Sequence, residues 1–209
     1  MKQFRADLHI HSRFSRATSK KLSPRYLAAW SRIKGLDVLG TGDFTHPEWL
    51  NELEEQLVQD SATGLFRLKD DRRLDHEVPE FAGTPFSGRA LFMLQGEISS
   101  IYKRGGKVRK VHNLVFMPTI EAARTFSNKL AEVGNITSDG RPILGWTRAI
   151  CLKWCWKRTP SPFLFPPISG RRGSRCSVPN PVSIPSRNAS AIFRPKFLRW
   201  RRAFLPILK

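Results

Sequence analysis

The run Asp7-Leu8-His9-Ile10-His11 carries a carboxylate and two imidazoles at alternate positions. On an extended strand, residues i, i+2 and i+4 face the same way. Asp7, His9 and His11 are therefore expected on one side, with Leu8 and Ile10 turned into the core. Such a set at a strand end suits a divalent cation, and nitrogen and oxygen donors fit zinc or manganese. A His-x-His pair also occurs on wet strand faces, so its meaning depends on what else converges with it.

Three further groups stand where they can converge. Asp43 closes Gly40-Thr41-Gly42-Asp43 after one apolar run, Glu97 closes Leu94-Gln95-Gly96-Glu97 after another, and His112 precedes Asn113-Leu114-Val115. In α/β barrels, side chains at the C-terminal strand ends meet at a single site. Between Glu97 and His112 lie Lys103, Arg104, Lys107, Arg109 and Lys110, a basic cluster around Gly105-Gly106. It is suited to gripping a DNA backbone, or equally to being a solvated hairpin tip.

The elements that must hold these groups follow from periodicity and caps. Residues 3–10 read as a strand, and 12–21 as a polar connection. Ser23-Pro24 starts a helix with Leu27, Ala28, Trp30 and Ile33 as its apolar stripe, and Gly35 ends it. Residues 36–39 read as a second strand. Thr45 to Glu48 has capping-box spacing and opens a helix carrying Trp49, Leu50, Leu53 and Leu57. This β-α-β-α start predicts a parallel sheet or barrel. Residues 60–90 show no clear pattern. A strand over 91–95 follows, then a hairpin whose arms, 98–102 and 108–116, flank the Gly-Gly turn. Thr119 caps a further helix that runs through Ala131 and ends at Gly134.

Composition divides the chain. The net charge is +19, yet all 17 acidic residues lie at or before Asp139. Residues 1–145 hold 22 Lys and Arg against those 17 acids, while residues 146–209 hold 14 Lys and Arg and none. The last 64 residues also contain nine of the fifteen prolines, four of the six tryptophans and all three cysteines, Cys151, Cys155 and Cys176. Three cysteines at these spacings fit neither a disulfide framework nor a zinc pattern. No apolar h-region opens the chain and no run reaches 18 apolar residues, which predicts a soluble, cytoplasmic protein. Nothing points to an obligate protein partner.

A native basic tail is one reading of 146–209, but disordered tails are poor in Trp, Phe, Leu and Ile, and this one is rich in them. The alternative is a reading-frame error. With one nucleotide missing after the Gly145 codon, residues 145–160 recode, within codon degeneracy, as GLDARDLLEMVLEADP, which is periodic and acid-containing. Residues 166–192 recode as PAHIWTPWFSVLGSKSGFDSIEECFGD. We therefore expect 146–209 to be out of frame and to lack regular structure.

The order of DLHIHS, an Asp after the second strand, Gly-Glu after a later one and a His on the next resembles the PHP metal-dependent phosphoesterases. ADLHIHSRFSRATSK, GLDVLGTGDFTHPEW and GEISSIYKRGGKVRKVHNLVF are similar to the endonuclease Q group, which nicks DNA on the 5′ side of deaminated bases. The resemblance covers residues 1 to about 145 and implies the N-terminal part of a distorted (β/α)7 barrel, here incomplete. It also implies two divalent metal ions. His9 and His11 would hold one, Glu97 would bridge both, and His112 would bind the second. Asp7 would support the first pair, and Asp43 would be a ligand or stand just behind one. Glu97 and Asp43 are the carboxylates expected in the catalytic machinery, and DNA is the expected partner. Phe44 occupies the place of the His in a frequent Thr-Asp-His triplet, which counts against a third metal; His46 is expected in the first turn of its helix. The recoded PAHIWTPWFS would supply the family's next histidine. A truncated chain of this kind is expected to be inactive. The rival readings are a phosphatase acting on a small phosphomonoester and a non-catalytic nucleic-acid-binding protein.

Overall fold

The computed structural model describes residues 4–72, 74–83 and 89–158, together with 163–164 and 168–169. These form a mixed α/β unit. Strand β1 (Ala6–Asp7) leads through helix α1 (Pro24–Ile33) to β2 (Val38–Gly40), then helix α2 (Pro47–Gln56) and strands β3 (Leu57–Gln59) and β4 (Phe66–Leu68). A short helix, α3 (Leu74–Glu77), precedes the long strands β5 (Leu91–Arg104) and β6 (Lys107–Met117). Helix α4 (Ile120–Ala131), β7 (Ile143–Leu144), helix α5 (Arg148–Arg158), β8 (Phe163–Leu164) and β9 (Ile168–Ser169) complete the order.

The sheet runs β1-β2-β5-β4-β3, with β1, β2 and β5 parallel. The expected parallel start is therefore present. Strand β5 joins two regions: Leu91 to Met93 pair with β2, and Leu94 to Arg104 pair antiparallel with β6. The predicted breaks between 95 and 98 do not occur. Gly96 stays within the ladder because the Phe44 ring lies against it, 3.1 Å from where a Cβ would stand; a glycine in a strand marks such a close approach. At the hairpin tip Gly105 and Gly106 have φ of 58° and 71°. Two successive residues in the left-handed region define the tight turn that matches strand twist.

Local signals account for the helix starts. Ser23 Oγ accepts from the Tyr26 amide, and Thr119 Oγ1 from that of Ala122. The Thr45 cap does not form. His46 is the N-cap residue, without a side-chain cap bond, and the Thr45 hydroxyl donates instead to Gly140 O at 3.3 Å. A tertiary acceptor has displaced the local one. The core packs Phe44, Trp49, Phe92, Leu94, Ile98 and Phe126, all buried, between α1, α2, α4 and the sheet.

Beyond Trp146 the outcome differs from expectation. Residues 148–158 form α5, and Cys151, Trp154 and Cys155 are buried in the main core. Their i, i+3, i+4 spacing is a short helical stripe, and the Trp154 ring meets that of Phe126 edge-on at 5.3 Å. Residues 159–209 of the expected out-of-frame segment, apart from β8 and β9, lie outside the described residues.

Candidate metal centre

The strand expected over 3–10 is short. Only Ala6 and Asp7 pair, because the His9 amide turns back to donate to Asp7 Oδ1 at 3.2 Å. Leu8 and Ile10 consequently part company, Leu8 packing with Leu114 and Phe116 while Ile10 lies against the main core. The two imidazoles nevertheless converge. His9 Nε2 lies 2.8 Å and His11 Nε2 3.5 Å from Glu97 Oε2. The other carboxylate oxygen, Oε1, is hydrogen-bonded to His112 Nδ1 and accepts from Ser99 Oγ at 3.2 Å. Glu97 is thus a buried carboxylate with its oxygens divided between two groups of imidazoles.

Donor geometry supports a cation. One candidate ligand atom from each of His9, His11 and Glu97 lies within 4.8 Å of the other two. Bonds of about 2.0–2.2 Å to a common ion place donors roughly 3–3.5 Å apart, and the 2.8 Å and 3.5 Å from Glu97 Oε2 to the two imidazoles lie close to that. The side chains of His9, His11 and His112 are 27%, 22% and 33% exposed against 2% for Glu97. The centre therefore opens to solvent on its imidazole side. Burial by itself raises the Glu97 pKa, but the hydrogen bonds from His112 and His9 outweigh it and hold the carboxyl well below its usual range. The same bond raises the His112 imidazole. Burial raises the Asp7 carboxyl.

Asp43 stands behind the centre rather than in the trio. It is fully buried with φ of 44°, in the left-handed region that Asp tolerates better than most residues. Its Oδ1 accepts from His11 Nδ1 at 3.0 Å. Its Oδ2 accepts from the Ser12 amide at 2.6 Å, the Ser12 hydroxyl at 2.8 Å and the Ser15 hydroxyl at 2.9 Å. Gly42 precedes it at φ 70°, where a Cβ would lie 2.9 Å from His11 Cα. The Trp49 indole N–H donates to Gly42 O at 2.7 Å and ties this turn to α2. On the far side Gly140 closes the pocket, with a Cβ position 2.4 Å from Asp43 Oδ2 and 2.7 Å from Ser15 Oγ. Gly140→Ala is accordingly expected to destabilise the protein by about 1–3 kcal/mol, the usual cost of overpacking. A melting temperature equal to that of the unsubstituted chain would contradict this.

The remaining sequence candidates sort by position. Phe44 is fully buried against Phe126, so no ligand stands at the triplet position. His46 stacks on Phe14 with ring centroids 4.3 Å apart, and its Nε2 lies 3.2 Å from Thr137 O. The basic cluster is exposed but divided: the β5–β6 register places Lys103 and Lys110 on the sheet face of Glu97 and His112, and Arg104, Lys107 and Arg109 on the other. Ser12, Ser15, Ser99 and Gly140 were not singled out from sequence. Ser12 adjoins the histidine motif, but Gly140 carries no signal until the chain folds.

No family model matches the chain. An uncharacterised protein of Methanocaldococcus jannaschii, MJ0043, is 49% identical over 49 residues, covering 23% of this chain and 6% of that protein. The uncharacterised protein YqxK of Bacillus subtilis is 32% identical over 139 residues, 63% of this chain and 32% of that one. Among solved structures, the chain is similar to a crystal structure of endonuclease Q with a 27-mer duplex bearing an abasic lesion at the active site. The TM-score is 0.55 at 28% identity, over 74% of this chain and 33% of that one. The lesion-specific endonuclease Q of Pyrococcus furiosus gives a TM-score of 0.54 at 28% identity, over 74% and 32%. These likenesses support an endonuclease Q-like relationship, and this chain spans about a third of the endonuclease Q chains and of YqxK.

Proposed function

We propose that the intact gene encodes a metal-dependent phosphodiesterase that nicks DNA beside deaminated bases, and that this chain carries its N-terminal half-site. The observation that carries the reading is the division of Glu97 between His9 and His11 on one oxygen and His112 on the other. A carboxylate so placed is suited to bridge two cations. Zinc or manganese, when bound in a pair, lowers the pKa of an attacking water and stabilises the phosphodiester oxygens in flight.

The chain's own residues would prepare that centre. Asp43 accepts from His11 Nδ1 and so leaves Nε2 as the donor atom, a pairing that fixes both tautomer and ring orientation. Ser12 and Ser15 hold the Asp43 carboxylate in place. Ser99 does the same for Glu97. Lys103 and Lys110, on the same sheet face, are suited to a DNA backbone passing the centre. A nucleotide lost after the Gly145 codon would remove the later strands of a distorted seven-stranded barrel, and with them further ligands.

Asp43→Asn is expected to weaken zinc or manganese binding by about 10–100-fold, as loss of an orienting carboxylate typically does. Titration calorimetry on the purified chain measures it, and unchanged affinity would remove Asp43 from this role. The function itself is tested by offering the frame-restored protein DNA with one deoxyuridine or deoxyinosine, alongside a small phosphomonoester. Metal-dependent nicking at the altered base, absent in His9→Ala, is the expected result. Turnover of the monoester alone would favour a phosphatase. DNA binding that ignores metal, with no cleavage, would favour a non-catalytic protein.

A further inference from the structure

Beside the start of β5 lies a cavity of about 80 Å³, lined by Ala28, Arg32, Arg67, Lys69, Asp71 and Arg89 among others. Leu91, at the start of the strand, is six residues from Glu97, roughly 20 Å at about 3.3 Å per residue. This cavity is therefore separate from the candidate metal centre. Three guanidiniums and one ammonium line it against a single carboxylate. The Lys69 ammonium is engaged elsewhere, donating to Glu54 O at 2.9 Å. Asp71 serves two of the arginines at once, its Oδ2 lying 3.1 Å from Arg32 NH2 and 3.9 Å from Arg89 Nε.

Arg32 is the telling residue. Its side chain is only 11% exposed, and its Nε is buried with no hydrogen-bond partner among the described residues. A guanidinium N–H left unpaired away from water is costly, more so for a charged group than for a neutral one. Arg67 offers its NH1 only a long contact to Leu68 O at 3.4 Å. Like charges brought together around a small cavity repel unless an anion lies between them. A cavity of this size holds more than one water and has room for a tetrahedral oxyanion.

We propose that this cavity binds a single phosphate group, held by Arg32, Arg67 and Arg89. Guanidinium forks match phosphate oxygens, and one of the three, Arg32, has an Nε without a hydrogen-bond partner among the described residues. The phosphate has two possible sources, a free anion or the backbone of a nucleic acid reaching this end of the molecule. The site stands independently of the metal centre and of the nuclease reading.

The test uses the 209-residue chain with inorganic phosphate, pyrophosphate and a short single-stranded oligonucleotide as probes. Calorimetry at constant ionic strength is expected to show saturable binding of phosphate or pyrophosphate that chloride does not reproduce. Arg89→Ala, at a side chain 68% exposed, and Arg67→Gln leave the Arg32–Asp71 pair intact, and each is expected to weaken binding about tenfold, the loss of one charge-assisted contact. His9→Ala is expected to leave it unchanged, which separates this site from the metal centre. Oligonucleotide binding that phosphate displaces and Arg89→Ala weakens would assign the phosphate to a nucleic-acid backbone. Phosphate binding untouched by the oligonucleotide would assign it to a free anion. No saturable binding, or binding equal in all the arginine variants, overturns the proposal.

Discussion

Inserting one nucleotide after the Gly145 codon, as the proposed reading requires, is expected to convert a chain that leaves deoxyuridine-containing DNA intact into one that nicks it. The difference should reach at least about a thousandfold in rate, equivalent to roughly 4 kcal/mol of barrier. The physical reason lies in what the candidate centre contains. Among the described residues, the three side chains able to share one cation are His9, His11 and Glu97, with His112 on the second oxygen of Glu97. Catalytic centres with two cations need more donors than these to hold both ions and leave an open position for the reacting groups. The recoded segment would supply a histidine and several acids where residues 146–209 have no acid at all. In the described residues β1 pairs only with β2, and an unpaired strand edge favours association over closure. Side-by-side assays of the two proteins with added manganese or zinc decide the matter. Specific, metal-dependent nicking by the 209-residue chain would refute the expectation.

Glu97→Gln should have the largest effect on metal uptake of any single substitution in this chain. The amide keeps the size of the carboxylate but loses the charge and one acceptor oxygen, so it cannot serve two cations. Three imidazoles would remain around a neutral group. Affinity for zinc is expected to fall by about 100-fold or more, beyond the 10–100-fold typical of a group behind the ligands. Competition against a chromogenic chelator gives the number. Binding as tight as in the unsubstituted chain would show that Glu97 is a structural anchor for three histidines and nothing more.

Much of the scaffold was legible in the sequence because short-range chemistry governs it. Ser23 and Thr119 cap their helices as their positions imply, and two consecutive glycines make the hairpin turn. The convergence of His9, His11, Glu97 and His112 was also expected from residue type and order. The route to it was not. His9 and His11 meet Glu97 from an irregular segment beyond a two-residue strand, so the residues converge without the strand alternation that was expected to bring them together. The stripe of Cys151, Trp154 and Cys155 was passed over because it sits in a stretch whose composition argued against any order.

What the sequence by itself determined is the inventory: which residues can bind a cation, which turns are tight, and where composition breaks at Gly145. Those are properties of single side chains or of neighbours a few residues apart. Only the tertiary structure decided how the inventory is used. Thr45 gave up its helix cap for Gly140, ninety-five residues away, and Asp43, expected either as a ligand or just behind one, lies hydrogen-bonded to His11 Nδ1. The five basic residues of the hairpin divided between two faces because strand register, not sequence proximity, sets which side chains share a surface. Each of these outcomes depends on contacts between distant segments, and such contacts exist only once the chain has closed around its core.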